Sequence, residues 1–134
     1  MKVSIGNYPV YRWYHQAGLV KFTGEPKVEV RIDPWDTYSM DATLAHIVLP
    51  MLIQLKRSQH IVVFMEEEDL LNYCIPQYPD EFSPESLEEN WQWALGEIIY
   101  AFNSKVAEEF HDVEADRVAN GFRLFGKYYS KLWD

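Results

Sequence analysis

Residues 27–55 read KVEVRIDPWDTYSMDATLAHIVLPMLIQL, and the period of their hydrophobic pattern changes inside this segment. Apolar and polar side chains alternate through residue 33, which predicts a strand that is buried on one face. From Ser39 onward the apolar residues recur at helical spacing, and Ser39 is a suitable N-cap. The strand is expected to pair with residues 3–5 or 19–22. The segment therefore predicts a chain of the α+β class.

Length and composition restrict the class of protein further. The chain has 134 residues, which suits one domain with a single core, and 48% of them are hydrophobic and 16% aromatic. A chain so rich in large apolar side chains is expected to fold. No run approaches the roughly 20 apolar residues that cross a bilayer, and the first residues lack the apolar core of a signal peptide. Cys74 has no second cysteine to pair with, so we expect a cytoplasmic protein.

Three long helices follow the strand, and a connector separates the first from the second. The helices are predicted at residues 39–57, 86–110 and 113–133, with the acidic connector at residues 58–85. The complete prediction is an α+β fold over residues 1–134, in which a small N-terminal antiparallel sheet or hairpin packs on a three-helix layer. Because so many aromatic residues are hard to bury in one small core, self-association is also expected.

Single residues inside the predicted helices carry further expectations. Pro50 lies within the first helix and predicts a kink. Ser86 and Glu89 have the spacing of a capping box at the start of the second helix. Gly121 and Gly126 lie inside the third, where each glycine costs roughly 1 kcal/mol relative to alanine. We expect close backbone packing or the approach of a ligand to offset that cost.

The net charge of −9 is concentrated in one segment. Residues 66–90 contain nine acidic residues and neither lysine nor arginine, whereas the stretch that begins at Arg117 is net basic. This charge distribution disfavours non-specific binding of nucleic acid, yet it permits a local anion site at the basic end. The acidic segment is either a solvated loop or a surface that imitates the phosphates of a nucleic acid.

The sequence lacks the motifs of the common cofactor and metal classes. Glu108 and His111 have the spacing of one half of a di-metal carboxylate site, but the second copy that such a site needs is missing. No glycine-rich phosphate loop, dinucleotide fingerprint or Cys/His zinc spacing occurs. No metal and no cofactor are therefore predicted.

The candidate ligand-binding residues are polar or aromatic side chains dispersed over several predicted elements. They are Arg31, Trp35, Asp36, Tyr38, Asp41, His46, Trp91, Glu97, Arg123 and Lys127. One interpretation of this set is structural. In that interpretation Arg31 pairs with Asp33 or Asp36, and Arg123 pairs with Glu97.

A second interpretation is an anion pocket. Arg123 and Lys127 would contact a phosphate or carboxylate, because both side chains are strong cationic donors. Trp35, Tyr38 or Trp91 would offer a flat surface to a nucleotide base. The basic character of the C-terminal stretch is the charge observation behind this interpretation.

A third interpretation is a small enzyme. Pro50 cannot donate the helical hydrogen bond that would reach the carbonyl of His46, so a polar group is freed inside an apolar helix. His46 would act as general acid or base, with Asp36 or Asp41 orienting it. In the plainer alternative, His46 hydrogen-bonds to a neighbouring element.

Three sequence strings carry a resemblance to a known family. They are Arg31-x-Asp33-x-Trp35-Asp36-Thr37-Tyr38-Ser39-Met40-Asp41-x-Thr43-Leu44-Ala45, Leu49-Pro50-Met51-Leu52-x-Gln54-Leu55-Lys56 and Asn120-Gly121-Phe122-Arg123-Leu124-Phe125-Gly126-Lys127-Tyr128-Tyr129-x-x-Leu132-Trp133. Together with residues 91–103, they resemble a family of small uncharacterised proteins encoded by tailed bacteriophages. The chain departs from that family at Tyr38, where the family typically has tryptophan, at residues 96–100 and in the loop after Lys56.

The resemblance implies a biological context and no mechanism. It points to a virus-encoded accessory protein in the cytoplasm of an infected bacterial host, and the family has no assigned catalytic residues. We expect a non-enzymatic counter-defence protein that sequesters a small anionic, nucleotide-like ligand. In the alternative, its acidic surface binds and inhibits a host protein. Neither membrane association nor direct binding of nucleic acid is expected, and the protein is a candidate homo-oligomer.

Overall fold

The computed structural model describes residues 1–6, 16–18, 27–59, 63–70, 83–107 and 114–133. The chain divides into two compact units, Met1–Met40 and Asp41–Asp134. The described elements are the strands β1 (Lys2–Gly6) and β2 (Lys27–Arg31), the helices α1 (Met40–Ser58), α2 (Pro84–Val106) and α3 (Ala115–Lys127), and three short 3-10 turns, Pro34–Thr37, Glu67–Leu70 and Tyr129–Lys131. A small antiparallel sheet and three helices confirm the α+β class. The extent of the domain stays a prediction.

The strands β1 and β2 form a two-stranded antiparallel sheet in the first unit. Their register pairs Lys2 with Arg31 and Gly6 with Lys27, which confirms the predicted pairing with residues 3–5. The other candidate partner, residues 19–22, lies outside the described residues.

One sheet face differs from the prediction. The sequence pattern predicts burial of the apolar row of β2 and the residue after it, yet Val28, Val30 and Ile32 are 57%, 52% and 56% exposed. The strict alternation correctly predicts a strand. The inference from alternation to burial is wrong within this chain, because alternation shows that a strand has two different faces and not that one is covered.

Helix α1 contributes its buried side to the second unit. Ala45, Leu49 and Leu52 are its buried residues, and Pro50 lies inside the helix and is itself exposed. The observed bounds differ by one residue at each end from the predicted ones. Among the described residues, no helix is long and apolar enough to cross a membrane.

Helix α2 begins earlier than predicted. Its N-cap is Ser83, whose hydroxyl accepts a hydrogen bond from the Ser86 amide at 3.2 Å, and Pro84 occupies the first turn. The predicted capping box at Ser86 and Glu89 is therefore wrong. The physical reason is that proline has its φ angle already fixed near the helical value and lacks the amide hydrogen that a first-turn residue leaves unpaired, so it extends the helix toward the N-terminus.

Helix α3 ends earlier than predicted. Its last residue is Lys127, and Tyr128 departs from helical geometry with φ −101° and ψ 17° before the turn Tyr129–Lys131. The α-helix predicted through residue 133 is wrong over these last residues. Tertiary contacts of the Tyr128 hydroxyl, described below, hold the chain away from the helical path.

Helix α2 supplies the centre of the core of the second unit. Trp91, Leu95 and Ile98 are fully buried, and Leu124 of α3 is buried against the same cluster. At Gly121 a Cβ atom would lie 2.5 Å from the carbonyl oxygen of Glu97, so α2 and α3 touch through their backbones there. This contact confirms the expected close packing at Gly121. The same expectation is wrong at Gly126, which is exposed and has no described atom within 4 Å of an added Cβ.

Candidate functional site

The most unusual polar feature of the second unit is a buried carboxylate. Asp69 lies in the turn Glu67–Leu70, and its side chain is 0% exposed. The Tyr128 hydroxyl donates a hydrogen bond of 2.6 Å to Asp69 Oδ2, and Lys127 Nζ lies 2.8 Å from the same oxygen. Arg123 NH1 lies 2.6 Å from Oδ1. A buried carboxylate of this kind is tolerated because cations and a hydroxyl compensate for the lost hydration.

The helical repeat explains why these cations meet. Arg123 and Lys127 are four residues apart in α3, and such a pair projects from one face of a helix. Tyr128 follows at the C-cap, where the chain turns toward Asp69. Among the described residues, Oδ1 of Asp69 accepts no well-aligned hydrogen bond, so its contact with Arg123 is mainly a charge contact.

Two glutamates form the outer rim of this cluster. Lys127 Nζ lies 2.6 Å from Glu66 Oε2 and 3.3 Å from Glu68 Oε1, and these glutamate side chains are 63% and 70% exposed. The Glu66 amide donates a hydrogen bond of 3.1 Å to the Tyr128 hydroxyl. We call residues 66–69 the acidic turn. Its inner carboxylate is anchored on α3, while its outer carboxylates face solvent.

A second layer of hydrogen bonds lies beneath Tyr128. The Tyr128 ring packs edge-on against Trp91 with a centroid separation of 5.8 Å. Trp91 Nε1 donates a 2.8 Å hydrogen bond to Oε1 of the buried Gln59. Gln59 Nε2 in turn donates to the carbonyl oxygens of Lys131 and Trp133. These bonds tie the end of α1 and the C-terminal turn to the core around Trp91.

The charges of the cluster shift the pKa values of its members. Burial raises the pKa of Asp69, but the Lys127 ammonium, the Tyr128 hydroxyl and the Arg123 guanidinium beside the carboxylate outweigh that effect and hold the pKa below its ordinary value. Hydrogen bonds to Asp69 and Glu66 raise the pKa of Lys127. Burial, followed by the hydrogen bond to Asp69, raises the pKa of Tyr128. The cluster is thus built to keep Asp69 ionised and Lys127 protonated.

This lowered carboxyl pKa predicts a stability change at acidic pH. The ordinary pKa of Asp69 is 3.8, and the folded protein holds it lower. Stabilisation by Asp69 is therefore complete above that ordinary value and is lost as the pH falls through the lower folded value. We expect urea unfolding to show a steep loss of stability below about pH 4. In the variant Asp69→Asn this loss should be smaller, and an equal loss in both proteins would contradict the assignment.

Three predicted site residues of the second unit have partners or surroundings other than those expected. Glu97 pairs with Arg117 through two contacts of 2.8 Å, so the predicted pair of Arg123 with Glu97 is wrong. The Arg117 guanidinium also stacks 3.9 Å from the centre of the Tyr100 ring. Arg123 instead contacts Asp69 and donates to Asn120 Oδ1 at 3.0 and 2.9 Å. Trp91 is fully buried, so its ring faces core residues and not an incoming base.

The cleft beside Glu97 does not suit an anion. Its volume is about 440 Å³, and its described lining consists of Trp93, Glu97, Glu114, Asp116, Arg117 and Asn120. Three carboxylates stand there against one guanidinium, and that guanidinium is already paired with Glu97. The negative excess disfavours a phosphate or carboxylate ligand.

The residues of the enzyme interpretation are engaged elsewhere or exposed. Asp41 Oδ2 lies 3.0 Å from Lys105 Nζ, and His46 is exposed on α1. Asp41 and His46 are five residues apart in one helix, which places them on different faces. In the first unit, Asp36 is 3.0 Å from the Met1 ammonium and accepts a hydrogen bond of 2.8 Å from the Asp33 amide.

The remaining predicted residues lie in the first unit and are largely exposed. Arg31 Nε lies 3.1 Å from Glu29 Oε1, so the predicted pairing of Arg31 with Asp33 or Asp36 is wrong. Trp35 and Tyr38 are 80% and 85% exposed, and their ring centroids are 6.5 Å apart. They are the two predicted aromatic residues whose rings are available to solvent.

The structure brings two of the predicted residues, Arg123 and Lys127, to one point, and the sequence pattern missed the residue that joins them. Asp69 stands among three glutamates in a run that is typical of a solvated loop. The one available signal was the spacing of Arg123 and Lys127 on α3, which requires a carboxylate partner if either cation is half-buried.

Searches for similar proteins do not supply a function. No family model matches the chain, and neither a curated protein nor a solved structure matches it. Within the described residues, no group of three or more metal-ligating side chains is placed to hold an ion. Cys74 and the pair Glu108 and His111 lie outside the described residues.

Proposed function

We propose that the chain is a bacteriophage-encoded accessory protein that acts by binding a host protein, with the acidic turn as its contact surface. The observation that supports this proposal is the anchoring of the turn. Asp69 is fully buried beneath exposed glutamates and is held by Lys127, Tyr128 and Arg123. The acidic surface is therefore presented in a fixed geometry.

A fixed set of charges suits recognition of a protein. Side chains and loops that are already ordered lose less conformational entropy on association than mobile ones, so more of the contact energy appears as affinity. The four carboxylates of the acidic turn outnumber the two cations beneath them, Arg123 and Lys127. The remaining negative charge complements a basic patch of the kind that grips nucleic-acid phosphates, and it accelerates the encounter.

Removal of the exposed charges tests the proposal. The variant Glu66→Gln/Glu67→Gln/Glu68→Gln keeps the shape of the side chains and leaves Asp69 in place. We expect a host protein to co-purify with the wild type from bacterial lysate. The amount recovered with this variant should be at least about tenfold lower, because the complementary charge is lost. Binding should also weaken as salt is raised.

A second triple variant provides the matched control. Glu85→Gln/Glu88→Gln/Glu89→Gln removes the same number of charges from the start of α2. We expect it to retain the partner, because the acidic turn is intact. Equal retention by both triple variants would contradict the role of the acidic turn, and equal loss in both would show an effect of net charge alone.

Sequestration of a small anion is the second candidate function. It is favoured by one observation, the convergence of Arg123 and Lys127, which the anion-pocket interpretation requires. Both cations are neutralised by carboxylates, so an incoming phosphate would have to displace Glu66 and Glu68 from Lys127. Binding of a protein needs no such displacement, and we therefore place it first. The enzyme interpretation has no comparable support, because Asp41 is paired with Lys105.

A further inference from the structure

Among the described residues, the second strand of the small sheet has one edge without a strand partner, and it carries an exposed apolar row. Within the described part of the chain, β2 pairs with β1 alone, so its other edge has no strand partner there. Val28, Val30 and Ile32 are each more than half exposed, at 57%, 52% and 56%. A two-stranded sheet by itself is only marginally stable in water, and an apolar edge strand is a template for pairing with another chain.

We propose that β2 pairs antiparallel with β2 of a second copy of this chain, with Val30 on the two-fold axis. The result is a four-stranded sheet in the order β1, β2, β2, β1. The pairing is isologous, so every contact away from the axis occurs twice, and Val30 meets its own copy once. This proposal is independent of the acidic turn, which lies in the other unit.

The charges of β2 select this register. With Val30 on the axis, Glu29 lies opposite Arg31 of the second copy, and Val28 lies opposite Ile32. Opposite charges and β-branched apolar residues are the cross-strand pairs that stabilise antiparallel sheets. Every pair in this register is either opposite in charge or apolar.

Neighbouring registers are less favourable. An axis at Glu29 sets Glu29 against itself, and like charges directly opposite each other are destabilising. An axis at Arg31 sets two guanidiniums against each other. An axis at Val28 leaves Ile32 without a partner in the described part of the strand. In a register shifted by a single residue, the apolar residues of one strand would lie opposite the charged residues of the other.

The charged pair is free to take part in such a contact. The Arg31 and Glu29 side chains are 76% and 46% exposed, and they already touch within one strand at 3.1 Å. In the proposed dimer the two copies contribute two arginines and two glutamates of alternating sign to one face. Each side chain then has an opposite charge both along its own strand and across the axis.

Charge reversal with mixing tests this register. Alone, Glu29→Arg places the new guanidinium opposite Arg31 of the second copy, and Arg31→Glu places the new carboxylate opposite Glu29. Sedimentation should therefore show a dimer dissociation constant raised at least about tenfold for each variant, since two pairs become repulsive. An equimolar mixture restores opposite charges across the axis and should form a heterodimer with nearly wild-type affinity. If the Glu29–Arg31 contact acted only within one strand, mixing the two variants would not restore dimer affinity.

Two further variants make the test decisive. The double variant Glu29→Arg/Arg31→Glu keeps both the contact within the strand and the contact across the axis, and it should dimerise like the wild type. Val30→Lys places two ammonium groups at the axis and should give a monomer whose circular dichroism is that of the folded protein. A wild type that is monomeric at its highest soluble concentration overturns the proposal. A mixture without heterodimers, or a dimer that survives Val30→Lys, overturns it equally.

Discussion

Replacement of Gly121 with alanine is expected to lower the free energy of unfolding by about 2–3 kcal/mol. The new Cβ would lie 2.5 Å from the Glu97 carbonyl oxygen and 2.6 Å from the Ala101 Cβ. Neither neighbour is the end of a flexible side chain, so α3 has to move away from α2. The intrinsic preference of alanine for helices offsets only part of this cost. Urea unfolding monitored by circular dichroism measures the difference.

Gly126 supplies the matched control for that experiment. It lies in the same helix, but no atom of the described residues lies within 4 Å of the Cβ that an alanine would add. Gly126→Ala should therefore increase stability by about 0.5–1 kcal/mol, because it removes conformational freedom from the unfolded chain. Destabilisation of similar size by both substitutions would contradict the close contact of α2 with α3 at Gly121.

Replacement of Asp69 with alanine is expected to lower the free energy of unfolding by about 2–4 kcal/mol. The substitution leaves the Tyr128 hydroxyl without its buried acceptor and removes the carboxylate that Arg123 and Lys127 share. The effect is limited because Arg123 and Lys127 are 47% and 26% exposed and can regain hydration. Chemical denaturation at neutral pH measures it. The loss of the anchor should also release the acidic turn and weaken binding of the host partner.

Glu67→Ala is the control for Asp69. Glu67 lies two residues away in the same acidic turn, and its side chain is exposed. We expect a change within about 0.5 kcal/mol, as for other exposed surface positions. Similar losses for the two variants would show that Asp69 is not the anchor of the turn.

Local rules predicted most of the fold from the sequence. The alternation in residues 27–33 identified β2, and helical spacing located α1 to within one residue at each end. The errors occurred where tertiary contacts override local preference. The helical spacing of apolar residues continues in the sequence beyond Lys127, but the helix ends there. Contacts of Tyr128 with Asp69 and of Lys131 with Gln59 hold the following residues in another conformation. The prediction that Val28, Val30 and Ile32 are buried was wrong, because burial of a strand face depends on which other elements pack against it, and alternation within the strand does not encode that.

The candidate site was predictable only in part. The repeat of α3 correctly placed Arg123 and Lys127 together, because four-residue spacing alone determines that relation. Their partner was not predictable, because Asp69 and its glutamate neighbours have the same local signature and only the tertiary fold decides which carboxylate is buried. Glu97 pairs with Arg117 and not with Arg123 for the same reason. Both arginines lie on α3, and the position at which α2 crosses α3 determines which of them is close to Glu97.

Native mass spectrometry of the protein recovered from phage-infected bacteria tests the proposed function most directly. The acidic turn predicts a complex of defined stoichiometry between this chain and a host protein, which dissociates on addition of salt and is absent for Glu66→Gln/Glu67→Gln/Glu68→Gln. A retained small anionic molecule, bound by that triple variant and lost in Arg123→Ala, would contradict binding of a protein through the acidic turn. It would assign Arg123 and Lys127 to sequestration of a ligand instead.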